Sequence, residues 1–202
     1  MSGYVIAGIG TDIGKTVVAA VLVEALDADY WKPVPAGSLD DSDAHAVQRL
    51  APGAGRRIHK EVFRLSQPLS PHAAADIDGV LINRDALVLP RHERALIVEI
   101  AGGLMVPLAP GLLNIDLLAD WGLPIILVSQ YYLGSINHTL LSIDALRQRK
   151  LPIAGIVLNG PTVESTRSVI LAETGLPVII ELPSVDELNP RVIRAWAKKV
   201  KL

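Results

Sequence analysis

The sequence predicts a three-layer α/β/α domain built on a mostly parallel central sheet. Two observations carry that expectation. Short continuous runs of Val, Ile and Leu alternate with longer segments of helical period, and 50% of the 202 residues are hydrophobic while 20% are charged. Strands of a parallel sheet read as unbroken apolar runs because helices cover both faces. A repeated beat of strand and helix is the pattern of right-handed crossovers. The length suits one domain over residues 1–202.

The first strand is "YVIAG", followed after a Gly-rich loop by a helix from Lys15 to Leu26. Between Asp27 and Asp85 the pattern is less regular. There "YWKPVPAG" reads as a strand and loop, and "DSDAHAVQRL" as a short helix opened by Asp or Ser as N-cap. Ser70 would cap another helix, with Pro71 at its first position. The strand "RALIVEI" precedes a helix near Asn114 to Trp121, and "PIILVS" precedes Ile136 to Arg149. "IAGIVLN" then precedes Glu164 to Thr174, and "PVIIEL" precedes Pro190 to Lys201. The stretch Ala95 to Leu113 is apolar enough to resemble a membrane segment. It holds Glu99, three glycines and two prolines, so a strand running into a loop is expected, not a spanning helix of about 20 residues.

Charge narrows the function classes. Nineteen basic against 21 acidic residues give a net charge of −2 with no long run of one sign, which predicts no nucleic-acid partner. The basic tail "AWAKKVKL" is expected to place cations in the last turn of the final helix, where they complement its dipole. Absence of cysteine excludes disulfides, thiolate catalysis and Cys-ligated zinc. The first ten residues lack a basic start and an unbroken apolar stretch, which predicts a cytoplasmic protein without membrane attachment.

Chemistry enters at "GIGTDIGKT", residues 8 to 16, which falls at the predicted junction of the first strand and helix. Glycines let backbone N–H groups close around phosphate oxygens at a helix N-terminus, so Gly10, Thr11, Asp12, Ile13 and Gly14 are candidate nucleotide contacts. Lys15 would reach the β and γ phosphates, and the hydroxyl of Thr16 would ligate Mg²⁺. A strict phosphate loop needs a glycine at position 9, where Ile9 stands, so Gly8 to Gly14 forms a variant with five intervening residues. This loop makes the expected fold P-loop NTPase-like. The competing dinucleotide pattern fails on spacing, because Ile13 occupies the position of its third glycine.

A magnesium–triphosphate site needs hard oxygen ligands. Glu99 ends a buried strand, where a carboxylate without a cation or donors is costly, and is the leading metal candidate. Asp40, Asp41 and Asp43 lie near the start of the short helix, where spacing alone does not separate cap from ligand. Lys32, set before Pro33, could face the same pocket or the surface. His72 and His138 have no partner at metal-ligand spacing and read as structural hydrogen-bonding residues.

Read together, "GTDIGKT", "WKPVPAG", "DSDA", "SPHAAA", "EIAGG", "LGSINH", "VLNG" and "ELP" occur in an order and at spacings that resemble the dethiobiotin synthetase family. The resemblance implies an ATP-dependent ligase in which 7,8-diaminononanoate, CO₂ and ATP give dethiobiotin, ADP and phosphate. Carried over by position, Lys15 and Lys32 are the catalytic lysines, and Lys32 also contacts substrate. Thr16, Asp43 and Glu99 hold Mg²⁺, while Asn159 and Pro183 border adenine. Gly134, Ser135, Ile136 and Asn137 would bind the substrate carboxylate from the neighbouring subunit, which implies a homodimer with composite sites. Two residues depart from the pattern: Ala36 replaces a common Ser or Thr, and Ile100 a common Gly whose loss bears on the loop backbone. A nucleotide-switch ATPase of the partition or septum-positioning type is the alternative. That group carries an additional lysine near the loop's beginning, and Gly8 to Ile13 contains none. A related synthetase acting on a cobalt-corrin precursor would need a glutamine-hydrolysing domain with a Cys nucleophile, and the chain has no cysteine.

Overall fold

Alternation along each strand decides which helices it meets. In strand β1 (Gly3–Gly8), Val5 and Ala7 point into one apolar core and Ile6 into the other. In β3 (Leu96–Glu99), Leu96 and Val98 share the first core, whereas Ile97 joins the second. The same split recurs in β6 (Ile125–Gln130), with Ile125 and Leu127 opposite Ile126 and Val128. Both sides of the sheet are therefore dry, and burying each Val, Leu or Ile contributes about 1.5–3 kcal/mol.

A computed structural model describes residues 3–37, 40–54 and 57–202. Its main sheet has the order β2-β3-β1-β6-β7-β8, where β2 is Asp29–Trp31, β7 is Ile153–Asn159 and β8 is Val178–Leu182. All six strands run parallel, so the expected sheet is borne out. One face is covered by α1 (Lys15–Leu26), α2 (Asp43–Leu50) and α7 (Pro190–Ala197). The opposite face carries α4 (Asn114–Trp121), α5 (Ser135–Gln148) and α6 (Glu164–Thr174). A shorter helix, α3 (Pro71–Asp78), adds Ala74 and Ala75 to that side. Because β1 lies between β3 and β6, the crevice at its carboxyl end is where ligands collect in such sheets.

Two features differ from expectation by more than two residues. The last helix ends at Ala197, not Lys201, because the chain turns back and the Lys201 N–H donates to Ile179 O at 3.0 Å. Its last turn holds Arg194, and the expected cations of the tail lie beyond it. The loop after β3 contains an antiparallel pair, β4 (Pro107–Ala109) and β5 (Leu112–Leu113). Pro110-Gly111 was the available turn signal, with Gly111 at φ 75°. Among the described residues, no helix is long and apolar enough to cross a membrane.

Candidate active site

The loop after β1 is built by close approach. A Cβ on Gly8 would lie 2.5 Å from Ile13 Cδ1, and a Cβ on Gly14 would lie 2.3 Å from Asn159 Nδ2. Gly14 also has φ 88°, a left-handed conformation that costs other residues about 1–2 kcal/mol. Asn159, at the end of β7, donates from Nδ2 to Ile13 O at 2.9 Å and so ties the loop to the sheet. Asp12 is exposed at φ 55°, and Thr11 beside it is exposed as well. Helix α1 opens directly from Gly14 with no side-chain cap, leaving first-turn N–H groups without an intrahelical acceptor.

Lys15 is buried, and its Nζ donates to Gly10 O at 2.7 Å. Burial lowers its pKa to about 8, with Glu99 pulling the other way and Lys32 adding to the fall. The next side chain, Thr16, brings Oγ1 to 2.5 Å from Asp43 Oδ1 and 3.0 Å from Glu99 Oε1. Three elements thus converge: the start of α1, the start of α2 and the end of β3.

Local structure explains each placement. Ser42 is the N-cap of α2, and its N–H donates to His45 Nδ1 at 3.2 Å. Asp43 therefore sits at the first helical position with its carboxylate turned to the site. Glu99 is 1% exposed at the strand end. Lys32, 8% exposed, places Nζ 2.5 Å from Asp43 Oδ2 and 3.0 Å from Glu99 Oε1. Burial alone would lower the Lys32 pKa, yet Glu99 and Asp43 more than offset it and hold the ammonium above its usual value. For Asp43, burial pushes upward, and Lys32 with Thr16 brings the carboxyl below its usual range. These groups face a cavity of about 900 Å³ that also touches Thr11, Asp12, Ala36 and Gly102.

The donor set fits magnesium. Thr16 Oγ1, Asp43 and Glu99 are hard oxygen ligands on one side of a cavity large enough for a nucleotide, and Mg²⁺ ordinarily takes one or two carboxylates plus waters and phosphate oxygens. Among the described residues, no group of three or more His, Cys, Asp or Glu side chains is arranged to hold a metal by itself.

Other expected residues fall elsewhere. Gly134, Ser135, Ile136 and Asn137 open α5 after β6 and do not line this cavity; Gly134 and Asn137 are exposed. Pro183 is exposed just past β8, whose Leu182 pairs with Asn159 in register. Asp41 reaches the cavity rim and pairs with Arg49, while Asp40 is exposed. His72 lies 3.0 Å from Ser70 Oγ, and His138 lies 2.7 Å from Tyr132 OH, both ordinary hydrogen bonds. Ile100 is buried core without a left-handed backbone, so glycine is not required there.

Sequence reasoning missed Tyr30. Its ring is fully buried on β2, and its OH donates to Glu99 Oε2 at 2.9 Å. Burial, then the Glu99 charge, pushes its pKa well above the usual value. The available signal was period two: in an extended segment Tyr30 and Lys32 share a face.

An AAA domain family model matches residues 2–192. ATP-dependent dethiobiotin synthetase BioD of Rhodopseudomonas palustris (strain HaA2) is 46% identical over 191 residues, covering 95% of this chain and 90% of the relative. The chain belongs to the ATP-dependent dethiobiotin synthetase family. The relative of the same name from Chlamydia pneumoniae is 42% identical, covering 100% of this chain and 90% of its own length. A third family member, the biotin biosynthesis bifunctional protein BioCD of Bordetella avium, is 40% identical over 98% of this chain, which spans 43% of that longer protein. Fold is shared more widely than sequence. A ParA family ATPase from Chlorobium tepidum TLS superposes with a TM-score of 0.54 at 13% identity, over 98% of both chains. The MinC:MinD cell division complex of Aquifex aeolicus gives 0.55 at 12% identity, covering 98% of this chain and 95% of that one. At such identities the likeness concerns the fold alone, and the P-loop NTPase-like architecture agrees with it.

Proposed function

We propose that this chain makes dethiobiotin: an ATP-dependent ligase that carboxylates 7,8-diaminononanoate with CO₂ and closes the ureido ring, releasing ADP and phosphate. The observation that carries this reading is the convergence of Lys15, Thr16, Lys32, Asp43 and Glu99 on one cavity in a member of the dethiobiotin synthetase family.

The chemical difficulty is a poor electrophile. One substrate amine adds to CO₂ as a carbamate. A carbamate oxygen then attacks the γ-phosphorus and ADP leaves. The second amine attacks the carbamoyl carbon of the mixed anhydride, closing the ring as phosphate departs. Several negative charges must meet in one place, so fixed cations in a site shielded from water lower the barrier. The N–H groups of the loop from Gly10 to Gly14 and the start of α1 hold the phosphates. Lys15 exchanges its Gly10 carbonyl for phosphate oxygens. Lys32, drawn to the cavity by Asp43 and Glu99, neutralises the carbamate and the transferred group. Thr16, Asp43 and Glu99 would hold Mg²⁺, which when bound supplies charge neutralisation on the phosphates.

The base would lie between Asn159 and Pro183. Gly134 to Asn137 would serve a neighbouring protomer, because Gly134 and Asn137 are exposed at a helix start outside this chain's own cavity and helix N-termini bind carboxylates. A cytoplasmic homodimer with two composite sites is therefore the proposed working form, as a single catalytic domain over residues 1–202.

The deciding assay combines the protein with Mg-ATP, bicarbonate and the diamine and weighs the product by mass spectrometry. Dethiobiotin should form with ADP in equal amounts. ATP hydrolysis indifferent to the diamine would sink the proposal and favour a nucleotide switch.

A further inference from the structure

Glu99 presents two oxygens to two different surroundings. Oε1 faces the site, 3.0 Å from Thr16 Oγ1 and 3.0 Å from Lys32 Nζ. Oε2 faces the interior and accepts from Tyr30 OH at 2.9 Å. Tyr30 cannot drift from this bond. Its ring is fully buried in the core beneath α1 and α2, and its strand pairs with β3 in the register Tyr30↔Ile97. Two further backbone bonds fix the residue: Tyr30 N–H donates to Arg57 O at 3.0 Å, and His59 N–H donates to Tyr30 O at 2.8 Å.

We infer that Tyr30 is a positioning residue that holds Glu99 in a single-oxygen presentation, so that the site favours Mg²⁺ over larger divalent cations. The inference rests on the proposed function for the metal, for Glu99 as one of its ligands and for the nucleotide it accompanies. The physical reason is coordination geometry. Mg²⁺ demands near-ideal octahedral ligation, which one carboxylate oxygen satisfies, whereas Ca²⁺ takes six to eight oxygens and readily accepts both oxygens of a carboxylate. A phenol bonded to Oε2 withholds that oxygen and fixes the plane of the carboxylate. Partners one step behind a metal ligand commonly set affinity by such orientation. Without the phenol, the Glu99 carboxylate gains freedom to rotate and to offer both oxygens.

The test is Tyr30→Phe in the full chain, which keeps the ring and removes only the donor. Calorimetry of ADP binding is run with Mg²⁺, with Ca²⁺ and with chelator. The variant should bind Mg-ADP roughly 10-fold more weakly, lose most of its preference for Mg²⁺ over Ca²⁺, and keep its metal-free affinity for ADP. Turnover should fall with the KM for the diamine unchanged. A merely structural hydroxyl would lower the melting temperature and leave the ratio of the two metal complexes alone, and that result overturns the inference. So does a wild-type chain whose ADP affinity ignores divalent cations. A wild type that binds Mg-ADP with the expected preference but makes no dethiobiotin defeats the functional proposal alone, and the variant's metal ratio still decides the role of Tyr30.

If Tyr30→Phe fails to fold, wild-type protein labelled with fluorotyrosine gives the decision by fluorine NMR. Among its four tyrosines, Tyr30 is the fully buried ring and is identified by its resistance to a paramagnetic quencher. Adding Mg²⁺ to the ADP complex should shift that resonance. An unmoved signal overturns the inference.

Discussion

Lys32 Nζ and Thr16 Oγ1 address the same oxygen of Glu99, each at 3.0 Å, while Lys32 also reaches Asp43 at 2.5 Å. One ammonium thus holds two carboxylates together at the place where a metal is proposed to bind. Lys32→Met removes that cation from a nearly buried pair, for which losing one partner costs about 3–5 kcal/mol. The cost should fall at the lower end of that range, because Asp43 is about a third exposed and water screens it. Urea unfolding should show the loss, and Mg-ADP should recover more of it in the variant than in wild type, since a divalent cation replaces the missing charge. Dethiobiotin formation should vanish. Unchanged stability would mean that the two acids do not depend on Lys32.

Gly14 is constrained twice, by φ 88° and by Asn159 Nδ2 at 2.3 Å from the position of a Cβ. Gly14→Ala should destabilise the fold by about 1–2 kcal/mol through the backbone term and abolish Mg-ATP binding by displacing the loop. Gly111→Ala is the matched control. That residue also has positive φ, but nothing lies within 4 Å of a built Cβ. It should lose similar stability and keep wild-type nucleotide affinity. Equal affinity in both variants would remove the Asn159 contact from the account of the loop.

Asn159 braces the loop through a donor, so shape and hydrogen bonding can be separated. Asn159→Asp keeps the size of the side chain but turns Nδ2 into an oxygen facing the Ile13 carbonyl. The net loss of one hydrogen bond is about 1 kcal/mol, and repulsion between two acceptors adds to it. Nucleotide affinity measured by calorimetry should fall further for Asn159→Asp than for Asn159→Ala. The reverse order would show that the contact with Ile13 does not shape the loop.

Most of the sheet was legible because its strands are unbroken apolar runs whose alternate residues feed two cores, as Ile6 and Val5 do. The phosphate loop was legible because Gly14, Lys15 and Thr16 are contiguous. Convergence was not. Asp43 and Glu99 are 56 positions apart in the sequence, and the pairing of β3 with β1 in the register Ile6↔Glu99, with α2 packed on α1, brings them to the Thr16 hydroxyl. Tyr30 was overlooked although period two places it on the face of Lys32, because a buried tyrosine on a strand looks like core until its OH is seen to meet a carboxylate. The β4–β5 pair escaped because Pro and Gly marked a turn without marking strands on both sides of it.

The proposed composite site yields a prediction that a self-contained site does not. Lys32 lines the cavity of its own protomer, whereas Asn137 is exposed at the start of α5, outside that cavity. If Asn137 serves the neighbour, Lys32→Ala and Asn137→Ala damage each site from different chains. Each variant alone should be inactive or nearly so. Mixed and allowed to exchange subunits, half of the dimers pair one chain of each kind, and each such dimer regains one of its two sites, so about a quarter of wild-type activity should return. Dethiobiotin output against mixing ratio is the measurement, with a maximum expected at equal amounts. A mixture no more active than the sum of its parts, under conditions where mass measurements show mixed dimers, would place Asn137 outside the partner's site.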